Sequence, residues 1–557
     1  MILNKLLKAT SIGELCLDYL ETSLGPQICV AKPEGFNRVR PENFLTLILK
    51  FQHFFKEEKI KKHDKVAICS NTRLEWLAFD VACNLFGVVS VPIYPSLQRS
   101  EIEYMIKKTE VKLIVVENAE ILEKVALDLP KLSIENKLIE RCLTLSDLSP
   151  APFPVVDFLG YKDVITILFT SGSEGIPKGV PQTNENHLTN LWQVSASQLF
   201  CPDDSIFLFL PLAHSFGRLC GYVALTSNLE CFVPAPASQS SSKLNLEQIF
   251  RSISPSNPTI LPGVPRFFER IASNITSELG KKFGAFYRLF PKFIRKILGP
   301  FIIRKLFGKR IKFCISGGAK LQPEITLFFQ DLGLTILEGY GLTETCVATH
   351  VNLPEANKVG SVGKALPGVQ TRILDGEILI KGNNVVSGYL NEPELTRKAF
   401  TEEGWFRTGD LGYLDEDGFL YVTGRKKEIL VLSNGKNVPA LKLENLWSRL
   451  NMVVSCMAIG DGMDYCGMIL FTQNPDKLRV ICPQKLQEIN LQLNPFEKIK
   501  KILIVKGEPS VENGLLTPTL KIKRQEVLKR FEKEIKDLYS QETLILETNL
   551  RAQDSNF

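Results

Sequence analysis

An apolar run from Val164 to Phe169 feeds straight into Thr170-Ser-Gly-Ser-Glu-Gly-Ile-Pro-Lys-Gly179, and no other stretch constrains the chain as much. The run is short, β-rich and stopped by a glycine loop, so it reads as a buried strand. The loop offers three hydroxyls (Thr170, Ser171, Ser173), three glycines (Gly172, Gly175, Gly179) and Lys178. Glycines let backbone amides turn toward an anion with no Cβ in the way. Hydroxyls add donors and the lysine adds charge, which is what holding a polyphosphate requires. The spacing is not that of a P-loop, which needs Gly, four residues, then Gly-Lys-Ser/Thr. By its own residues the stretch is either a phosphate cradle or a flexible surface turn.

Upstream, strand and helix alternate. Residues 43–60 carry Phe44, Leu47, Ile48, Phe51, Phe54 and Phe55 at helical spacing. A strand at Val66–Cys69, a helix over 73–86, a strand over 88–93, a helix over 100–109 and a strand at Leu113–Val116 follow. Such alternation predicts a mostly parallel sheet covered by helices. Residues 117–160 read as a helix and a Ser/Pro-rich connection. Downstream, a helix starts at Thr183-Asn-Glu-Asn. In residues 205–218 the Pro211 break puts His214 at a strand end, where α/β folds place ligands; a satisfied core histidine is the alternative. A strand at 311–316 enters Gly317-Gly318-Ala319. Residues 335–349 read as strand, glycine turn and helix. From 358 the pattern turns to glycine-punctuated β, which suggests a small β subdomain.

Composition sets outer bounds. The chain has 557 residues, 44% hydrophobic and 23% charged, as globular proteins do. Its net charge of +6 is too small to argue for nucleic acid. Thirteen cysteines include no C-x-x-C pair and many lie in apolar runs, as expected of buried thiols in a reducing compartment. Five dispersed histidines argue against zinc. Charges interrupt Met1 to Leu20, so no signal peptide is indicated. Asn84, Gly87, Pro92 and Pro95 break the stretch 81–98, so it is no membrane span. A cytoplasmic location follows as the expectation. Residues 281–312 stand apart, with eleven Lys or Arg, no acid and interleaved Phe and Ile. They form either an interfacial segment on anionic headgroups or the solvated face of a helical hairpin, cut into short helices at Pro291 and Pro300.

Six stretches, in order, carry a resemblance over nearly the whole chain: 170–179, 210–218, 338–345, 405–410, 424–437 and 514–524. Together they resemble the adenylate-forming superfamily of acyl-CoA synthetases, luciferases and adenylation domains. Leu-Pro-Leu-Ala-His214, Leu432-Ser-Asn-Gly-Lys-Asn437 and Leu516-Thr-Pro-Thr-Leu-Lys-Ile-Lys-Arg524 are most similar to the long-chain fatty acid ligase branch. Glu174 departs from the threonine usual in relatives. The resemblance implies an α/β fold: a large N-terminal domain of two αβ-layered sheet subdomains plus a small β subdomain (1–424), followed by a small mobile α+β lid (425–557).

It also implies roles. A carboxylate attacks the α-phosphate of ATP to give acyl-AMP, and a pantetheine thiol then displaces AMP. Thr170, Ser171, Gly172, Ser173, Gly175 and Lys178 are expected at the β- and γ-phosphates. Gly317, Gly318, Ala319, Glu338, Gly339, Tyr340 and Gly341 are expected around the adenine, Asp410 at the ribose, and Arg425 at the same ribose or the phosphate. Glu344 with Thr343 is expected to hold Mg2+, His214 and Lys521 to act at the reacting centre, Lys427 to be the hinge and Gly435 to lie at a thiol channel. No carboxylate stands in 215–222 to pair a substrate amine, and an unpaired buried amine is costly, so a plain fatty acid is favoured. Coenzyme A is the expected acceptor. Acyl carrier protein is the alternative, with a non-catalytic fatty-acid and nucleotide sensor as a third reading. The segment 281–312 is the candidate for peripheral contact at the inner face of a membrane.

Overall fold

The computed structural model describes residues 2–21, 27–32, 34–135, 142–170, 177–227, 229–235, 246–289, 291–450, 452–511, 513–518 and 520–550. Ser171, Gly172, Ser173, Glu174 and Gly175 lie outside the described residues.

Two large sheets build the N-terminal part. The first has seven strands in the spatial order 143–144, 131–133, 113–116, 65–69, 89–93, 164–170 and 178–183. All pairs are parallel except the last, in which Val164–Thr170 returns as Lys178–Thr183. Val66 to Cys69 and Leu113 to Val116 are fully buried, as strands covered on both faces must be. The expected helix spans hold within three residues: Pro41–Glu57, Leu74–Phe86 and Arg99–Thr109.

The second sheet has nine strands and a parallel centre, ordered 335–342, 313–316, 260–263, 205–207, 230–234 and 28–32, with antiparallel edges. Its far edge is Ile28–Lys32 with Gly35–Arg38, so the start of the chain crosses to the second sheet before the first is built. Strands 370–374, 377–381, 406–414 and 420–425 make the expected antiparallel subdomain. The last unit is a mixed sheet of 455–459, 466–472, 499–506 and 545–549, with its own two apolar clusters.

Four expectations are corrected. No helix follows Gly341: Thr335–Leu342 turns through a 3-10 helix at Thr343–Thr345 and returns as the antiparallel strand Val347–Val351. A Cβ on Gly341 would sit 1.5 Å from the Val347 carbonyl oxygen, so only glycine lets the hairpin close. Lys178 and Gly179, read as loop, belong to the strand Lys178–Thr183, while the helix start expected at Thr183 holds, with Thr183 capping Asn184–Ala196. Pro300 does not end a helix; Pro291–Phe307 runs through it on the surface. The connection after 117 contains the short strands Lys131–Ser133 and Leu143–Thr144, too short for periodicity to reveal.

A buried ion pair joins the two sheets. Arg218, on the helix Ser215–Thr226, donates to Asp80 on the helix Leu74–Phe86. It also donates to Thr166 Oγ1 (2.6 Å) and Ser90 Oγ (2.6 Å) of the first sheet, so the buried guanidinium is well satisfied.

Candidate active site

Parallel strands leave their ligands at their carboxyl ends, and that is where the expected residues gather. A cleft of about 2610 Å³ is lined by Thr170, Lys178, His214, Gly317, Gly318, Ala319, Gly339, Tyr340, Gly341, Thr343, Glu344, Asp410, Arg425, Lys427 and Lys521. Among the described residues, the expected ones it does not gather are Glu338 and Gly435. Glu338 is buried behind the wall, where its carboxylate accepts from the Leu321 amide (3.3 Å). Burial raises its pKa to about 7. Gly435 turns the hairpin between Ile429–Val431 and Asn437–Pro439, with open space around it.

At one end, Thr170 and Lys178 are register partners on the antiparallel strands Val164–Thr170 and Lys178–Thr183. The Lys178 ammonium lies 5.7 Å above the ring centre of Tyr389. The Tyr389 hydroxyl donates to Glu344 Oε1 (2.9 Å), and burial first, then the Glu344 charge, raises the phenol's pKa. Glu344 is otherwise positioned through its backbone, whose carbonyl accepts from Val386 N (2.9 Å). The neighbouring Thr343 carbonyl accepts from Gln182 Nε2 (2.7 Å), and its hydroxyl accepts from Ser215 Oγ (3.2 Å). Sequence reasoning missed Tyr389, Gln182 and Ser215. A tyrosine behind a glycine is no signal by itself, so the part played by Tyr389 shows only in its hydroxyl on Glu344.

In the middle, Asp410 and Arg425 are directly opposed on antiparallel strands and paired at 2.9 Å. The Tyr340 hydroxyl donates to the other Asp410 oxygen (2.7 Å). A carboxylate has about four acceptor positions, so two remain for a pair of hydroxyls. Gly317 and Gly318 pass close to Phe216 and His214, with Gly318 at φ +82°.

His214 caps the helix Ser215–Thr226 rather than ending a strand: its Nδ1 accepts from the Phe216 amide (3.2 Å). Burial, then the Lys521 charge, lowers its pKa to about 4, so the ring is neutral and carries its proton on Nε2. Phe209, Ala213, Phe216, Leu219 and Val223 continue the wall as an apolar surface with no acid among them.

The last unit supplies Lys521. Its turn is closed by Thr517 N to Lys521 O (2.7 Å) and Lys521 N to Thr517 Oγ1 (3.0 Å). Leu520 takes φ +62°, a conformation that costs a non-glycine residue about 1–2 kcal/mol. Dehydration in the cleft, then the Arg425 charge, lowers the Lys521 pKa to about 8. The side chain is exposed to the cleft. Polar contacts dock the unit on the large part: Arg449–Glu324 (2.6 Å), Lys523–Glu101 (3.3 Å), Gln322 Nε2 to Asn445 Oδ1 (2.6 Å) and Arg266 Nη2 to Ser455 Oγ (3.0 Å).

This geometry has relatives. A long-chain-fatty-acid–CoA ligase (FadD15) of Mycobacterium bovis is 29% identical over 87% of this chain and 89% of its own length. Long-chain-fatty-acid–CoA ligase 5 of Rattus norvegicus is 28% identical over 85% and 80%. Among solved structures, the ATP-bound MatB of Rhodopseudomonas palustris superposes with a TM-score of 0.74 at 23% identity over 94% of this chain and 99% of that one. The adenylation domain of a Segniliparus rugosus carboxylic acid reductase, in complex with AMP, gives 0.81 at 20% identity over 97% and 96%. Residues 427–543 match the AMP-binding enzyme C-terminal domain. Residues 42–390, which hold both large sheets' central strands and the Lys178–Tyr389–Glu344 group, match the AMP-binding enzyme model, and the chain belongs to that family.

Proposed function

We propose that the protein activates a long-chain fatty acid with ATP through an acyl-AMP intermediate and transfers the acyl group to the thiol of coenzyme A. The observation that carries this reading is the placing of Lys521, from a separate unit, beside Asp410, Arg425 and His214. The long-chain-fatty-acid–CoA ligases among the relatives support the substrate class.

In the first half-reaction a carboxylate oxygen attacks the α-phosphorus and pyrophosphate leaves. Two anions must approach, so fixed positive charge is needed where they meet. Lys521 supplies it from the lid, and Lys178 neutralises the leaving phosphates at the other end. Asp410 accepts from the ribose hydroxyls, held in place by Arg425 and Tyr340. Neutral His214 offers Nε2–H as a donor without adding charge. Glu344 and Thr343 fit a magnesium ion: one carboxylate with a single hydroxyl donor on it, and no cluster of three acids, histidines or cysteines among the described residues. Magnesium prefers such a site completed by phosphate oxygens and water, and would there offset phosphate charge.

In the second half-reaction the thiol sulfur attacks the acyl carbonyl and AMP leaves. We place the domain boundary at 424/425 and the hinge at Lys427. Rotation there would withdraw Lys521 and bring Gly435, now remote, toward a thiol channel. The acid-free segment 281–312 supports a peripheral membrane contact that brings a sparingly soluble acid to the cleft. Each buried CH2 contributes about 0.8 kcal/mol, so two carbons are worth roughly tenfold in affinity.

The test is purified enzyme with ATP, magnesium and a long-chain acid, offered coenzyme A or acyl carrier protein in turn, with AMP release and thioester mass as readouts. Coenzyme A thioester is expected. Thioester on acyl carrier protein alone would transfer the assignment to that acceptor, and no acid-dependent AMP would defeat it.

A further inference from the structure

The helix Pro291–Phe307 has two faces of different character. Its inner face, Ile294, Ile303 and Phe307, is buried in the second sheet's apolar cluster. Its outer face carries Phe293, Ile297 and Phe301 at four-residue intervals, and these are 57%, 60% and 70% exposed. Residues four apart are stacked neighbours on a helix, so the three form one apolar stripe. A solvated helix face would carry polar side chains there. Exposed Lys292 and Lys296 flank the stripe on one side, and exposed Arg304 and Lys305 stand at its C-terminal end. Asp331 pairs Arg295 at 2.8 Å on the inner side, and no acid occurs from 281 to 312, so these four cations are not offset within the segment.

We infer that this outer face seats on an anionic lipid bilayer, with Phe293, Ile297 and Phe301 in the acyl boundary and Lys292, Lys296, Arg304 and Lys305 on the headgroups. Long basic side chains beside an apolar stripe can lay their stems along it and keep their charges at the headgroup level. The 17-residue helix is about 25 Å long and lies along the surface. Among the described residues no helix is long and apolar enough to cross a membrane, so the contact is interfacial. Lys292 and Arg295 of the same helix line the cleft that also holds His214 and Lys521. A seated helix therefore puts one edge of the cleft at the lipid in which a long-chain acid resides. The inference gives the proposed ligase its substrate source and rests on that reading only for its purpose.

The test is co-sedimentation of the full chain with phosphatidylcholine vesicles, with and without phosphatidylglycerol, in the absence of ATP and acid. Binding measured this way survives even if the ligase assignment fails. The wild type is expected to bind vesicles containing phosphatidylglycerol. The variant Phe293→Ser/Ile297→Ser/Phe301→Ser and, separately, Lys296→Glu/Lys305→Glu, two exposed lysines outside the cleft, should bind about tenfold or more weakly. Both should keep the wild-type melting temperature and turn over a medium-chain acid in free solution normally, while turnover of a vesicle-borne long-chain acid falls. A folded triple variant that binds vesicles like the wild type overturns the inference, as does a wild type that ignores anionic vesicles. Unchanged vesicle binding with lost self-association would also overturn it, since the face would then be seating a second copy.

Discussion

Lys521 and His214 stand within electrostatic reach of each other and are shifted in the same direction for the same reason: a cation in a protein-walled cleft loses hydration. The consequences differ. His214, lowered to about 4, is neutral throughout the ordinary range and contributes no pH dependence there. Lys521 is lowered from 10.5 to about 8, so the protonated form is lost as pH rises through about 8. In the proposed reaction adenylation needs that form. The kcat/KM for acid-dependent ATP–pyrophosphate exchange should therefore fall about tenfold per pH unit above that value, because this parameter reports the free enzyme. Lys521→Arg should flatten the fall, since arginine keeps its proton; a profile flat to pH 10 in the wild type would contradict the role. At this scale the sequence was informative through the motifs that carry the family resemblance. Lys521, Asp410, Arg425 and Glu344 reach one cleft from positions up to 177 residues apart, Glu344 to Lys521. Tyr389 was not legible, because a tyrosine behind a glycine signals nothing until its hydroxyl is seen on Glu344.

Among the elements, the parallel strands were the easiest to read. Leu113–Val116 and Lys65–Cys69 are apolar because both faces are covered, and their limits match the sequence expectation to one residue. The hairpin Thr335–Val351 was misread as strand and helix because Thr-Glu-Thr at 343–345 looks like a helix start. The deciding contact is a backbone approach, invisible to periodicity: Gly341 against the Val347 carbonyl. Gly341→Ala should consequently open this hairpin, destabilise the fold by roughly 3 kcal/mol or more and displace Glu344. Urea unfolding with a parallel exchange assay checks both, and a variant of wild-type stability would refute the close-approach argument. Pro300 was misread for the opposite reason, a rule applied where the helix tolerates the exception. A proline removes one hydrogen bond, yet packing of Ile294, Ile303 and Phe307 holds the helix on both sides of it.

In the whole molecule, two kinds of contact divide the labour. Asp80 and Arg218 weld the two large sheets through a buried pair whose remaining donors are satisfied by Thr166, Ser90 and Tyr222. Removing one partner leaves a buried charge, so Asp80→Ala should cost about 3–5 kcal/mol, read as a lowered unfolding midpoint; a change under about 1 kcal/mol would mean the pair is not structural. The lid is held differently. Arg449–Glu324 is half-exposed on both sides and Lys523–Glu101 is partly exposed. Such pairs contribute about 0–1 kcal/mol each, weak enough to permit the lid motion we propose between half-reactions. That separation of a fixed body from a releasable lid is the core of the account, and Lys521→Ala tests it most directly. With acyl-AMP and coenzyme A supplied, the variant should form thioester at close to the wild-type rate, while acid-dependent ATP–pyrophosphate exchange is lost. Equal loss in both half-reactions would contradict the account.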